Sequence, residues 1–394
     1  MLIISHDLSS ISKTDDIKKC IEENEKNIEY IGISNGILGL SYYYYYDFLY
    51  TNNEASLQKM IYYIEKSIST INEEYRSPFP QIEMIEMGLY LVYLYEQELL
   101  DEDIEAYLLE LDDIIEIYLL KKIEEGDLDN TVGFLKAGYY FIKRNNNDKN
   151  HLLHKILDAI ENLSIADEDL CYWKFTLRNS ENPTVELGLG HGVAGVISFL
   201  LQLFKKDIQK ERCSKLLHSS INFLLSQEDK SPINWFPINA FENKKLGYQN
   251  ISYGDIGIGY VLYKAGEILD NKNYKEKALS ILENASKFKD EEREHIKDAN
   301  LIYGASGLCS VFNLLYSLTK NEKMLFAREY WHNKIMEFTD HNNSNWAGFN
   351  TYFNGANEYA QLGFSQGIVG IGITLLADEM DINNDYLSFL NYNL

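Results

Sequence analysis

The sequence predicts an all-α protein in which helix pairs form a closed ring, and three observations support this fold class. Only five prolines occur among 394 residues, and none interrupts the long apolar segments. Apolar residues recur with helical spacing, as in residues 152–163, and convincing alternating strands are absent. A short glycine motif followed by an apolar or aromatic helix repeats along the chain. We therefore predict one domain over residues 1–394, an α,α-toroid.

The glycine motif occurs in seven copies, each of which is predicted to start a helix. The copies lie at residues 34–40, 85–91, 129–138, 188–195, 253–259, 303–307 and 365–372. Their spacing leaves room for a second, more polar helix after each apolar one. Helix pairs of this kind cannot bury their apolar faces alone, and we find no polar end caps for an open array. Closure into about seven inner and seven outer helices buries all of these faces and gathers the motifs at one end.

Composition excludes several classes of partner. Acidic residues outnumber basic ones by 60 to 36, which gives a formal net charge of -24. This charge argues against nucleic acid and anionic membranes, and it is compatible with basic or neutral peptides. The four cysteines show no CxxC spacing, and neither a signal peptide nor an 18-residue apolar run is present. We expect a cytoplasmic protein with reduced thiols and no membrane insertion, in which the tyrosine run 42–46 packs between helices.

His191 is the most unusual residue of the glycine motifs. Glycines at 190, 192 and 195 remove side chains around its imidazole, so that backbone or a ligand can approach closely. The apolar run 196–204 follows. A titratable ring at the start of a buried helix is a candidate for acid–base chemistry. The alternative is a packed histidine that is hydrogen-bonded to a nearby carbonyl.

Two motifs together, GLGHGVAG at 188–195 and YGDIGIG at 253–259, give the chain a resemblance to the lanthionine synthetase C family over about residues 30–380. These LanC-type proteins are cyclases of lanthipeptide biosynthesis. The resemblance implies that cysteine thiols of a precursor peptide add to dehydroalanine or dehydrobutyrine, and that the resulting enolate is protonated to complete a thioether ring. It also implies three partners, namely the dehydrated precursor peptide, a dehydratase and a transporter of the same pathway.

The resemblance extends to individual residues. The family's histidine corresponds to His191, its third-repeat aspartate to Asp129, and the tyrosine of its Tyr-Gly-Asp motif to Tyr253. We expect Asp129 and His191 to transfer protons, in an order that the sequence leaves open. Tyr253 and Tyr303 are expected to donate hydrogen bonds to the enolate oxygen. We expect a further set to line the cavity or bind substrate, namely Ser252, Asp255, Tyr248, Gly190, Gly192, Gly254 and Gly304.

Three of these assignments have structural alternatives. Asp129 could cap its own helix, and Asp255 could be a helix N-cap, since Gly-Asp before an apolar helix is good capping chemistry. Tyr303 could simply fill the space that the zinc ion occupies in other members of the family.

The chain departs from the family at the zinc ligands. Ser252 replaces the first cysteine, and Ile302 and Tyr303 replace the Cys-His pair before Gly304. Tyr248 replaces the usual arginine, and Cys309 lies too far into the next helix to substitute simply. Zinc prefers thiolate and imidazole ligands, so we expect no metal cofactor.

Loss of the metal leaves three functional hypotheses. A free cysteine is only about 3% ionised at pH 7, a penalty of about 2 kcal/mol, which a positioned base can recover. We therefore favour a zinc-independent cyclase. The second hypothesis is an inactive scaffold that binds the precursor peptide or a partner dehydratase. The third is a carbohydrate-active α,α-barrel with Asp129 and Asp255 as its carboxylates, in which the GHG motif would have no purpose.

Overall fold

The structure is a computed structural model that describes residues 8–72, 74–176, 182–230, 234–242, 249–340, 345–352, 354–355, 357–382 and 385–390. Helices dominate these residues. Their bounds are α1 Leu8–Asn24, α2 Ile37–Thr51, α3 Glu54–Thr70, α4 Pro80–Glu96, α5 Ile104–Glu124, α6 Phe134–Arg144, α7 Asn150–Leu163, α8 Val193–Lys205, α9 Lys210–Ser226, α10 Asp255–Ile268, α11 Lys272–Ala285, α12 Ala305–Thr319, α13 Glu322–Glu337, α14 Glu358–Leu362 and α15 Ile368–Met380.

The chain divides into two compact units. The first unit comprises Met1–Met87 and Lys289–Asp385, and it contains α1 to α3 and α12 to α15. The second unit comprises Gly88–Phe288 and Tyr386–Leu394, and it contains α5 to α11. Helix α4 spans the boundary in sequence. The single domain expected over residues 1–394 stays a prediction.

Six of the glycine motifs start a helix, as predicted. Six helices have glycine as the N-cap residue, which offers no side chain to accept a hydrogen bond from the helix. They are α2, α6, α8, α10, α12 and α15. The turns are so tight that an added Cβ would lie 2.2 to 2.5 Å from a backbone atom at five of them, namely Gly36, Gly133, Gly192, Gly304 and Gly367. Glycine is therefore required by the close approach of the backbone to itself.

The second motif departs from this pattern, and the prediction that it starts a helix is wrong. Residues 85–91 lie inside α4, which begins at Pro80. Proline is well suited to the first turn of a helix, which explains the earlier start. Gly88 instead allows close packing, because a Cβ there would lie 2.4 Å from Cε2 of Tyr140. The count of seven repeats stays a prediction.

Burial differs between the glycine-capped helices and those that follow them. In α8 every residue from Val193 to Leu203 is buried, whereas α9 buries one face only. Tyr42 to Tyr46 in α2 are likewise buried, as expected for a packing role. Among the residues with defined positions, no helix combines the length and apolarity needed to cross a membrane.

In the part of the chain that the structure describes, one small sheet interrupts the helical pattern. Strands β1 (Ile165–Asp167) and β2 (Leu170–Tyr172) pair antiparallel, with Ala166 opposite Cys171. Strands of three residues are too short to show a two-residue period, so the sequence did not reveal them.

Candidate active site

His191 and Asp129 form a hydrogen-bonded pair in the second unit. The Nδ1 atom of His191 lies 2.6 Å from Oδ2 of Asp129. Each residue belongs to the turn that precedes a glycine-capped helix, α8 for His191 and α6 for Asp129. The side chains are 23% and 12% exposed respectively, so the histidine ring is the more accessible of the two groups.

The second carboxylate oxygen of Asp129 closes its own turn. Oδ1 accepts hydrogen bonds from the backbone N–H of Thr131 at 2.7 Å, from the Thr131 hydroxyl at 2.6 Å and from the N–H of Val132 at 3.0 Å. The N-cap of α6 itself is Gly133, so Asp129 caps the turn rather than the helix. This network fixes the rotamer that presents Oδ2 to His191.

A comparison with equivalent turns shows that the charge of Asp129 is not needed for the turn. Asn250 and Asn300 also stand four residues before a cap glycine. Asn250 Oδ1 accepts from the N–H groups of Ser252 and Tyr253, both at 2.8 Å, and Asn300 Oδ1 accepts from that of Tyr303 at 2.7 Å. An amide oxygen is thus sufficient to close such a turn. The additional carboxylate oxygen at position 129 is the one that contacts His191.

Asp129 is ionised at neutral pH. Burial opposes its ionisation, but the hydrogen bond and charge of His191 and the two bonds from Thr131 outweigh burial and lower the pKa of Asp129 below its usual value. A carboxylate accepts and cannot donate, so Nδ1 of His191 must be the donor in this pair. In the neutral ring the lone pair therefore lies on Nε2.

Glu186 is a third titratable group beside this pair, and no motif of the sequence predicted it. Its side chain is buried, and Oε2 has no hydrogen-bond partner among the residues with defined positions. Burial, with smaller contributions from the charges of Asp129 and Glu242, raises the pKa of Glu186 to about 7 against the opposing effect of His191. The available signal was a charged residue between Val185 and Leu187 in an otherwise apolar run.

The turn that contains Ser252 and Tyr253 packs directly against the His191 loop. The N–H of Gly190 donates to the Ser252 carbonyl at 3.2 Å. The ring of Tyr253 lies 5.8 Å from that of His191, centroid to centroid, at an angle of 33°. The sequence-predicted residues His191, Asp129, Tyr253 and Ser252 are therefore brought together.

Glycines at this contact serve backbone packing. An added Cβ at Gly188 would lie 2.6 Å from the Ser252 carbonyl oxygen, and one at Gly190 would lie 2.8 Å from the Ser252 Cβ. At Gly192 it would lie 2.5 Å from the Glu186 carbonyl oxygen. Gly254 has φ of 91°, in the left-handed region that favours glycine.

Asp255 anchors a neighbouring loop. It is fully buried, and its oxygens accept hydrogen bonds from the backbone N–H groups of Trp235 at 2.8 Å and Phe236 at 3.2 Å. Gly254 is the N-cap of α10, so the interpretation of Asp255 as the cap is wrong. Because Asp255 is the first residue within the helix, its side chain can reach sideways to the loop.

The remaining predicted residues belong to the first unit or are not described. Tyr303 and Gly304 precede α12 in the first unit, and burial raises the pKa of Tyr303. Tyr248 lies outside the residues that the structure describes.

The side chains at the expected zinc-ligand positions do not fit zinc. Ser252 offers only a hydroxyl, Ile302 has no donor atom, and the phenol of Tyr303 stays neutral because its pKa is raised. Zinc sites in proteins use thiolate, imidazole and carboxylate ligands. No step of the chemistry below is therefore assigned to a metal at these positions.

Comparisons with known proteins bear on the fold and the family. The model of the family "lanthionine synthetase C-like protein" matches residues 28–391. The structure is similar to that of nisin cyclase, with a TM-score of 0.73 and 21% identity over 96% of each chain. This similarity confirms the predicted fold class, an all-α fold of the α,α-toroid type.

Other comparisons add less. A search of curated proteins by sequence finds no match. A sugar epimerase from a ruminal bacterium aligns over 95% of this chain and 100% of its own, with a TM-score of 0.43 and 12% identity. Cellobiose 2-epimerase from Bacillus thermoamylovorans aligns over 94% of this chain and 100% of its own, with a TM-score of 0.42 and 14% identity. Both scores are too low to support a functional comparison.

Proposed function

The chain belongs to the lanthionine synthetase C-like family, and from that premise we propose that it is a zinc-independent thioether cyclase acting on a dehydrated precursor peptide. The observation that carries the proposal is the pair of His191 and Asp129, joined by a hydrogen bond of 2.6 Å. An oriented imidazole beside a partly buried carboxylate is suited to accept a proton and return it.

The proposed reaction needs one proton transfer in each direction. Nε2 of His191 accepts the proton of the peptide thiol, and the thiolate sulfur attacks Cβ of a dehydroalanine or dehydrobutyrine. The S–Cβ bond forms while the electron pair of the double bond moves toward the carbonyl, which gives an enolate. The imidazolium then returns its proton to Cα. The addition consumes no other reactant, and no group leaves.

Asp129 acts in this scheme as a positioning residue. Its Oδ2 holds the ring so that Nδ1 carries the proton and Nε2 the lone pair, and its negative charge stabilises the imidazolium. In this scheme His191 is both the base and the acid. The sequence alone left open which of Asp129 and His191 takes each role.

Tyr253 is proposed to stabilise the enolate. Its ring lies beside that of His191, with the centroids 5.8 Å apart, so a carbonyl near the imidazole would be within reach of the phenol. The matching role for Tyr303 stays a prediction from the sequence.

Catalysis without zinc is energetically reasonable. At pH 7 the absence of a metal costs about 2 kcal/mol in thiolate population. General-base catalysis typically contributes about 10²–10⁴-fold, which is of the same size or larger. Positioning of the thiol and the dehydroamino acid in one site would contribute further.

The expected setting is the cytoplasm, with a dehydratase and a transporter of the same pathway as further partners. The four cysteines form no disulfide, which is consistent with a reducing compartment. The net charge of -24 suits a basic precursor peptide.

Loss of the family's zinc ligands favours a second candidate function, that of a scaffold which binds the precursor peptide without reaction. The two functions make opposite predictions for the same assay. A dehydrated precursor peptide that contains cysteine is incubated with the protein, with and without a strong chelator. Remaining thiols are then alkylated and the peptide masses are measured, because cyclisation itself leaves the mass unchanged.

We expect loss of alkylatable thiol with and without the chelator, above a control without protein. Thermal unfolding in the same chelator confirms that the protein stays folded. Full alkylation in both samples, with peptide still bound, would replace the cyclase with the scaffold.

A further inference from the structure

A second cluster of chemically reactive side chains lies in the first unit. Cys309 on α12, His332 on α13 and Asp378 on α15 each place one potential ligand atom within 4.8 Å of the other two. These residues are separate from positions 252, 302 and 303, where the family carries its zinc ligands. The cyclase proposal uses none of them.

His332 and Asp378 are the closest pair of the cluster for which a distance is known. Nδ1 of His332 lies 2.9 Å from Oδ2 of Asp378, and this nitrogen atom is itself buried. An imidazole nitrogen and a carboxylate oxygen this close together can both become ligands of one metal ion.

Arg328 on α13 orients the carboxylate. Its Nη2 is hydrogen-bonded to Oδ1 of Asp378, which leaves Oδ2 directed toward His332. Metal-binding carboxylates are commonly held in this way by a hydrogen bond to the other oxygen.

The chemistry of the three groups selects zinc. Thiolate, imidazole and carboxylate are the ligand types that zinc accepts, and three protein ligands leave a fourth position for water. Ligand atoms in a tetrahedral zinc site are roughly 3.3 to 3.8 Å apart, so a shift of about 1 Å would complete the geometry. The cluster lies near the protein surface, because the side chains of His332 and Asp378 are 23% and 15% exposed, whereas Cys309 is buried.

We propose that Cys309, His332 and Asp378 form a zinc site that links α12, α13 and α15, with water as the fourth ligand. The site would stabilise this part of the first unit, because a metal that binds only the folded chain raises its stability.

The test uses the full-length protein, stripped of metal with a chelator and then titrated with Zn²⁺ and, separately, Co²⁺. We expect one zinc per chain and a rise in melting temperature. Co²⁺ should give the intense visible bands of tetrahedral coordination and a near-ultraviolet thiolate charge-transfer band. Cys309→Ser should abolish the charge-transfer band and stoichiometric zinc binding.

Matched variants keep the test decisive. Cys213→Ser removes another buried cysteine, on α9 in the second unit, and should bind zinc like the original protein. If Cys309→Ser fails to fold, His332→Gln, which changes a partly exposed residue, should lose zinc binding while remaining folded. Absence of stoichiometric zinc in the original protein, or full binding by either ligand variant, would overturn the proposal.

Discussion

At the scale of single residues, Asp129 combines two tasks that can be separated. Oδ1 closes the turn before α6, and Oδ2 holds His191. Asn250 and Asn300 close equivalent turns with an amide oxygen alone. The carboxylate at 129 is therefore best explained by its contact with the imidazole.

Asp129→Asn should separate these two tasks. The amide oxygen can still accept from Thr131 and Val132, so we expect little change in melting temperature. Loss of the charge should lower the rate of ring closure by about 10²–10⁴-fold, since the imidazolium is no longer stabilised. The rate of thiol loss and a thermal melt measure the two effects. Thr131→Val, which removes only one bond to Oδ1, is the control, and an unchanged rate in Asp129→Asn would contradict the proposed role.

Glu186 should make stability depend on pH. Its pKa is about 7 in the folded protein, against an ordinary value of 4.5. Between these values the folded state holds a proton that the unfolded state has released, so the free energy of unfolding falls as pH rises through this window. The loss is at most about 3 kcal/mol.

Glu186→Gln should flatten this dependence. Chemical denaturation at several pH values between about 4.5 and 7 would measure the slope. Glu211→Gln, at an exposed position of α9, is the matched control and should retain the slope. A slope that is the same in Glu186→Gln and in the original protein would show that Glu186 is not the group responsible.

At the scale of elements, helix starts that depend on local turns could be predicted from the sequence. Contacts between residues that are distant in the chain could not. Glycine motifs located the starts of six helices, because tight turns need glycine wherever they occur. The motif at 85–91 failed because Gly88 serves a contact with Tyr140, which no local pattern records. The N-cap alternative for Asp255 failed for the same reason, since its partners are the N–H groups of Trp235 and Phe236, some 20 residues earlier in the chain. Its predicted place in the cavity stays a prediction.

The same contrast holds at the candidate site. His191 was predicted from the glycines around it, and Asp129 and Tyr253 from the family resemblance, and the three residues lie together in the structure. Glu186 belongs to no motif, and its raised pKa comes from burial, which the sequence alone does not reveal.

The contact between the turns before α8 and α10 gives a prediction at this scale. Gly190→Ala should lower stability by about 1–3 kcal/mol, because the new Cβ would meet the Ser252 Cβ at 2.8 Å. Adding Ser252→Gly removes that Cβ and should recover part of the loss. Gly188→Ala meets the Ser252 carbonyl oxygen instead, so Ser252→Gly should not rescue it. A double-mutant cycle from denaturation would test this, and equal rescue of both variants would contradict the described contact.

At the scale of the whole molecule, the fold is shared with nisin cyclase, at 21% identity. Ser252, Ile302 and Tyr303 occupy the positions at which the sequence resemblance predicts zinc ligands. A shared fold does not decide activity, so the function must be argued from the site.

The net charge of -24 predicts how a basic precursor peptide binds. Raising the salt from about 0.1 M to about 1 M shortens the Debye length from about 10 Å to about 3 Å, so the association rate should fall steeply. Stopped-flow fluorescence with a labelled peptide would measure it. A peptide whose Lys and Arg residues are replaced by Gln should lose this dependence, and an equal salt effect on both peptides would argue against electrostatic steering.

The central claim is that His191 carries the proton transfers of ring closure without a metal. The most direct test compares His191→Ala with the original protein in the thiol-alkylation assay, in the presence of chelator. His218→Ala, at an exposed position of α9, is the matched control. We predict that His191→Ala remains folded and binds the peptide but leaves its thiols as alkylatable as in the control without protein. Ring closure by His191→Ala at the rate of the original protein would contradict the claim.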